Sequence, residues 1–356
     1  MKQKSYSIYI HSSRMSENGF TLIELMVALI LGLLISAAAL QIFYTSSVNN
    51  NRQKAGSQLQ DNAVFGIEDF SKHLRKANYG ANSNATSGFY LNHLTPQGGV
   101  VLTRPTGTKT IMAGEPPVPT IVSTWAESNL NGLKNGSNAL PTSILSANAS
   151  VNSASNLTTN TNSDQLTIQY QAYQDDMFTC DSKRITKGDY VVERYFVRVD
   201  NNVRSKENGL ALACASLTYT YDTAAAETGI DVSAKLDKLA GDGIIVIPNV
   251  DYFRVLLGTT AQNNFATNPA DLSIVYQPIP ENPATTLAGQ RIVSLQVGLL
   301  VHSDTATVSK QENTSLRFNI LDKRNQKLGT VAANDSKYLR NVYEMTTLIR
   351  NARGKP

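Results

Sequence analysis

The sequence predicts an α+β fold in which one long N-terminal helix packs on an antiparallel β-sheet domain. Three observations carry this. Residues 20–44 form an apolar run with one charge, Glu24. Residues 59–77 repeat apolar side chains at helical spacing. Beyond residue 164 the chain becomes a series of β-branched and aromatic runs separated by turn residues.

The run 20–44, FTLIELMVALILGLLISAAALQIFY, consists largely of good helix formers and holds no proline. As a helix rising ~1.5 Å per residue it reaches ~37 Å, enough for a bilayer core of ~30 Å. Ahead of it, residues 1–19 carry Lys2, Lys4 and Arg14 against Glu17. That basic flank places the N-terminus in the cytoplasm and the remainder across the membrane. An ordinary secretory signal has a shorter apolar core followed by small residues, whereas Ala37–Ala39 lie deep inside this run. A plain signal anchor leaves Glu24 unexplained. A carboxylate inside a membrane helix costs ~2.5–3.5 kcal/mol on insertion scales, so it calls for a partner.

After Tyr44 the pattern turns amphipathic. Leu59, Ala63, Ile67, Phe70, Leu74 and Ala77 form one stripe, and Arg52, Lys54, Asp61, Glu68, Asp69, Lys72, Arg75 and Lys76 take the opposite side. Gly80 closes the pattern. The reading is one helix of roughly 60 residues and ~90 Å, apolar over 20–44 and amphipathic over 45–79.

The remaining residues, 80–356, read as a β-rich globular domain. Strands are expected at 165–172, 190–199, 210–221, 243–258 (with Pro248 as a break), 272–277, 290–302, 315–320 and 337–349. Residues 114–119, GEPPVP, read as a stiff turn. Residues 135–163 hold no Lys, Arg, Asp or Glu and are dominated by Asn, Ser, Thr and Ala. That composition is expected to bury little, which makes the stretch a flexible surface insertion, with an adhesive or partner-binding loop as the other reading.

Composition removes several classes. Charged residues make up 17% of the 356 residues, against about 25% in ordinary domains. Hydrophobic residues make up 41%. A coiled-coil rod, a polytopic membrane protein and a charged disordered tail are excluded. Two Cys and four His exclude a zinc cluster or a disulfide-dense scaffold. A net charge of +4 does not by itself argue for nucleic acid.

Gly19-Phe20-Thr21-Leu22-Ile23-Glu24-Leu25, behind a basic leader and ahead of an apolar run, resembles the prepilin cleavage site of type IV pilins and type II secretion pseudopilins. The resemblance implies that a membrane prepilin peptidase cuts between Gly19 and Phe20, removing leader 1–19, and that the new N-terminal Phe20 is N-methylated. Glu24 then pairs with such an amine on a neighbouring subunit and sets axial register, which offsets much of its burial penalty. Many pilins have a proline in this helix; here Gly32 is the softer point. Translation from Met15 would leave a leader, MSENG, without basic side chains.

The order ERYFVR, a Cys-containing strand, VDYFRVLLG and a last strand ending LIRN resembles the PilW group of minor pilins. That resemblance implies a structural subunit, with no cofactor, that helps prime type IV pilus assembly and form a tip complex, in support of adhesion, twitching motility or DNA uptake. Its implied partners are minor pilins of the FimU, PilV, PilX and PilE types, the major pilin, the prepilin peptidase and a PilY-type tip adhesin. The implied location is the inner membrane and periplasm, then the surface pilus. The alternatives are a J-like minor pseudopilin of type II secretion and a membrane-anchored adhesin that uses prepilin processing.

Cys180 and Cys214 both follow the membrane segment. A pair in an oxidising compartment reads as one disulfide, with free thiols as the other reading. No His pair has metal-ligand spacing. Asp175, Asp176 and Asp181 are a candidate calcium cluster, with solvated loop charges as the alternative. The basic clusters Lys183, Arg184, Lys187 and Arg350, Arg353, Lys355 read as solvated surface, and nucleic acid is not expected as a partner. No GxSxG, P-loop or GxGxxG signature is present, and enzymatic activity is not expected.

Overall fold

The structure, a computed structural model, describes residues 19–82, 90–106, 109–111, 121–123, 127–158, 162–201, 209–222, 229–261, 273–307, 316–329 and 338–352. Most of the leader and residues 114–119 lie outside them. The chain divides into two compact units, Met1–Asn50 and Asn51–Pro356.

Helix α1 (Leu22–Lys76) runs through both. It starts two residues later than the sequence suggests because Thr21 caps it: the Glu24 amide donates to Thr21 Oγ1 at 3.3 Å. It ends at Lys76, and Asn78 and Gly80 then take left-handed backbone with φ of 66° and 75°. In the first unit, the described residues are helical from Leu22 on, and almost all side chains are exposed, including Phe20 and Leu22 through Tyr44. By length and composition this helix is long and apolar enough to cross a membrane. Its hydroxyls are satisfied locally: Ser36 donates to the Gly32 carbonyl at 2.8 Å and Thr45 to Gln41 at 2.9 Å.

The second unit holds two four-stranded antiparallel sheets. The first has the order β10 (Ile244–Ile247), β8 (Leu210–Thr220), β7 (Asp189–Val199), β4 (Leu166–Gln171). The second has the order β12 (Val275–Pro278), β11 (Val250–Ala261), β13 (Gln290–Ala306), β16 (Tyr338–Leu348). Smaller pairs are β1 (Lys109–Ile111) with β2 (Ile121–Ser123), β5 (Met177–Phe178) with β6 (Arg184–Ile185), and β14 (Phe318–Ile320) with β15 (Lys323–Gln326). One pair is parallel, β3 (Leu133–Lys134) with β9 (Ile230–Asp231). Among the described residues there are also two short α-helices, α2 (Ser233–Ala240) and α3 (Pro283–Thr286), and one 3-10 turn, Thr142–Ile144. The run 243–258 splits around Pro248 into β10 and β11, with Asn249 at φ 57° in the turn.

The helix stripe is the keel of the main core. Ala63, Phe70, Leu74 and Ala77 are buried among Leu166, Ile168, Tyr195 and Leu212 of the first sheet and Phe253, Val255 and Val297 of the second. The Phe70 ring meets Tyr195 edge-on at 4.6 Å and Phe253 at 6.1 Å. Gly66 lets the helix approach β10: a Cβ there would stand 2.6 Å from Ile247 Cγ1. Gly99 does the same where the chain after the helix crosses the Asn78 backbone.

The stretch 135–163 departs from its composition. Instead of projecting as a flexible insertion, its described part is tied into the fold. Leu140 and Ile144 are buried with Tyr190, Val192 and Leu236, and Leu157 with Tyr252 and Leu300. Ala154 donates its amide to Val197 of the first sheet, and Asn156 to Asp251 of the second. Four buried serines supply polar closure: Ser146 donates to the Thr167 carbonyl and Ser153 to that of Asp164, while Ser150 and Ser163 accept neighbouring amides. A few apolar anchors plus short hydroxyl side chains suffice to bury a stretch that looks like a linker.

Two ion networks on β11 hold this stretch down. Asp251 accepts from Asn156 Nδ2 at 2.7 Å and Arg340 Nε at 2.8 Å, with His302 Nδ1 3.2 Å away. Arg254 grips Asp322 with two nitrogens at 2.6 and 2.7 Å, and reaches Asp164 at 3.1 Å and Asn148 at 2.5 Å.

Candidate functional site

The residues of the expected processing site lie together at the start of the exposed helix. Gly19 and Phe20 are exposed, with nothing within 4 Å of a Cβ at Gly19. This leaves the Gly19–Phe20 peptide open to another protein. Glu24 is also exposed, in the first turn of α1, where a carboxylate interacts favourably with the amides at the helix start. It has no ion pair among the described residues, so the geometry leaves it available for a group outside this chain.

A second polar centre lies inside the domain. Glu193 on β7 is fully buried and its carboxylate accepts four donors. His73 Nδ1 of α1 stands 2.9 and 3.0 Å from its two oxygens, the Tyr170 and Tyr195 hydroxyls donate at 2.9 Å, and the Cys180 amide at 2.8 Å. Burial pushes the Glu193 carboxyl up, but His73, Lys76 and the Cys180 amide together outweigh it and hold it below the ordinary range. The same carboxylate and burial raise the Tyr170 and Tyr195 hydroxyls. The arrangement is saturated with hydrogen bonds, which fits a joint between helix and sheet. Its sequence trace is one carboxylate in the apolar strand YVVERYFVRV and one His beside the helix stripe.

Cys180 and Cys214 form a disulfide, with Cα atoms 6.1 Å apart and a sequence separation of 34. It links the turn after β5 to the middle of β8, beside the Glu193 centre. Replacing both cysteines by Ala should lower domain stability by about 3–4 kcal/mol through the wider unfolded ensemble. Denaturant melts of the double variant check this, with the reduced wild-type chain as the matching control.

Acid should loosen the domain as well. Glu193 and Asp251 are both depressed below their ordinary ranges: burial is the largest single influence and raises each, but His73, Lys76 and the Cys180 amide together outweigh it at the first, and His302, Arg340 and Asn156 together at the second. A depressed carboxylate stabilises the fold above its unfolded value, about 4, and that contribution is lost as pH falls through the folded value. Asp164, raised by burial despite Arg254, acts in the opposite sense and offsets part of the loss. The melting temperature is therefore expected to fall as pH drops below about 4, followed by circular dichroism; an unchanged value would remove the two carboxylates as stabilisers.

The remaining candidates are engaged elsewhere. Asp175 accepts the Lys187 amide, Asp176 pairs with Arg184, and Asp181 with Lys183 and Ser216. They do not converge on a calcium ion, and no group of three or more His, Cys, Asp or Glu among the described residues could hold a metal. These pairs also neutralise the cluster at Lys183 and Arg184. Arg350 instead comes to the end of α1, near Arg75 and Lys76, lining a shared cleft. Arg353 and Lys355 lie outside the described residues.

Comparison with known proteins bears on the N-terminal site. The family described as the prokaryotic N-terminal methylation motif matches residues 14–40, which include Gly19, Phe20 and Glu24. The match spans the expected processing site and most of the apolar run. Among solved structures, the chain is similar to a type IV-like pilin from Thermus thermophilus, at 10% identity and a TM-score of 0.35, over 83% of this chain and 98% of that one. No curated protein matches the chain.

Proposed function

We propose that the protein is a minor pilin of a type IV pilus, of the PilW kind, acting as a structural subunit rather than as an enzyme. The observation that carries this reading is the methylation motif at the head of an exposed apolar helix, with a lone carboxylate in its first turn. Prepilin peptidase cuts between Gly19 and Phe20, and Phe20 is methylated. The subunit waits in the inner membrane with its β domain in the periplasm, then passes into the fibre, where residues 20–44 fill the filament core. Glu24 meets the N-terminal amine of a neighbour. The partners are the other minor pilins, the major pilin and a tip adhesin, and the place is the pilus tip.

Deleting the gene and quantifying major pilin in sheared surface fractions tests the role. A sharp loss, restored by a plasmid copy, is expected. Normal piliation would sink the priming role and favour a secretion pseudopilin or a separately displayed adhesin.

A further inference from the structure

An open cleft of about 530 Å³ lies where the end of α1, the turn before β5 and the turn after β16 meet. Its walls are of two kinds. Arg75, Lys76 and Arg350 bring three cations to it, none with an ion-pair partner among the described residues, and Lys72, paired with Glu68, brings a fourth. Tyr79, Tyr173 and Phe178 bring aromatic surface, at 37%, 45% and 55% exposure. The two tyrosine rings meet edge to face at 5.6 Å.

Structure alone explains part of this. Basic residues in the last turn of a helix interact favourably with its carbonyl end, which accounts for Arg75 and Lys76. It does not account for Arg350, brought in from the far end of the domain. Lys76 is half-buried there, its ammonium 5.4 Å from the Tyr170 ring, and burial lowers it further than the pull of Glu193 and Asp69 raises it. A bound anion would offset that burial. The apolar rings beside the cations remain exposed, a combination suited to a ligand with one charged and one apolar group.

We propose that this cleft binds a short acidic peptide segment of a partner protein, its carboxylate meeting Arg75, Lys76 and Arg350 and a neighbouring apolar side chain lying on Tyr79, Tyr173 and Phe178. A polyanion fits less well. Asp69 lines the cleft, Glu68 pairs with Lys72 at its edge, and Asp175 and Asp176 flank the turn before Phe178. Glu68 and Asp176 are already paired with Lys72 and Arg184, but Asp69 and Asp175 oppose a phosphate chain leaving the cleft and leave room for a single carboxylate inside it. The inference stands independently of the pilus reading.

The full-length protein in detergent micelles is probed with an array of pentapeptides carrying one aspartate and one phenylalanine in every order on a glycine background. The strongest binder is then measured by fluorescence anisotropy. Binding is expected to weaken at least tenfold in Arg350→Gln, in Arg75→Gln and in Tyr173→Ala, and when the peptide aspartate becomes asparagine. All three side chains are exposed, so melting temperatures should stay at the wild-type value. Should one variant misfold, the other two still decide the matter. No binding by any peptide at millimolar concentration overturns the proposal, as does binding indifferent to Arg350 and Arg75. Tighter binding of a ten-nucleotide oligothymidylate that competes with the peptide would assign the cleft to nucleic acid instead.

Discussion

A chain carrying Glu24→Ala is expected to be made, inserted and cut normally, yet to be depleted at least tenfold from sheared surface filaments relative to the membrane fraction. The helix keeps its Thr21 cap, which the Glu24 amide closes, and loses only the carboxylate's modest interaction with the helix start, about 0.3–1 kcal/mol. Insertion becomes easier by the ~2.5–3.5 kcal/mol that a membrane charge costs. On the proposed function, what disappears is the reason to leave the lipid: a carboxylate to pair with an amine of the next subunit. A tenfold loss corresponds to about 1.4 kcal/mol, modest for a charge pair in an apolar surround. Immunoblots of sheared and membrane fractions measure the ratio, and Glu24→Asp should fall between the two. Equal incorporation of the alanine variant would remove Glu24 from the assembly mechanism.

The second large effect concerns Gly19. With Gly19→Leu, a branched side chain occupies the position before the proposed cleavage point, where the structure shows open space around Gly19. The expected outcome is a chain heavier by the mass of Met1–Gly19, retained entirely in the membrane, with no methylated Phe20 by mass spectrometry of the N-terminal peptide. Cleavage at wild-type rate would show that the peptidase does not read this position. The two variants are complementary: one stops before processing, the other after it.

The features that sequence pattern revealed are those with local causes. The α1 stripe, the long strands and the break at Pro248 follow from periodicity, β-branching and one ring-locked φ. Leu59, Ala63, Phe70, Leu74 and Ala77 are buried as their spacing implies. The processing motif was visible because its residues are contiguous. What stayed hidden depends on distant partners. Nothing near Asn148, Asn156 or Asp164 announces Arg254 and Asp251, about a hundred residues on. Composition therefore mistook an anchored stretch for an insertion. Glu193 could be flagged as a carboxylate in an apolar strand, but its four donors come from four separate places. The cleft was equally invisible, since Arg350 and Arg75 meet only when the chain ends close on the helix.

Those distant partnerships bear on how fast the domain forms. His73 and Glu193 are separated by 120 residues, Asp251 and Arg340 by 89, and the Asn78 side chain donates to the carbonyl of Asn351, 273 residues later. Contacts of such separation must close large loops before they yield any stabilisation, which places the domain among slow folders. The helix precedes every strand in the chain, so it can reach the membrane while the domain is still being synthesised. Its amphipathic stripe then stays uncovered until nearly the whole chain has emerged. Through that interval the nascent subunit presents an apolar surface to its surroundings, and its yield in the cell should depend on holding chaperones more steeply than on the equilibrium stability of the finished fold.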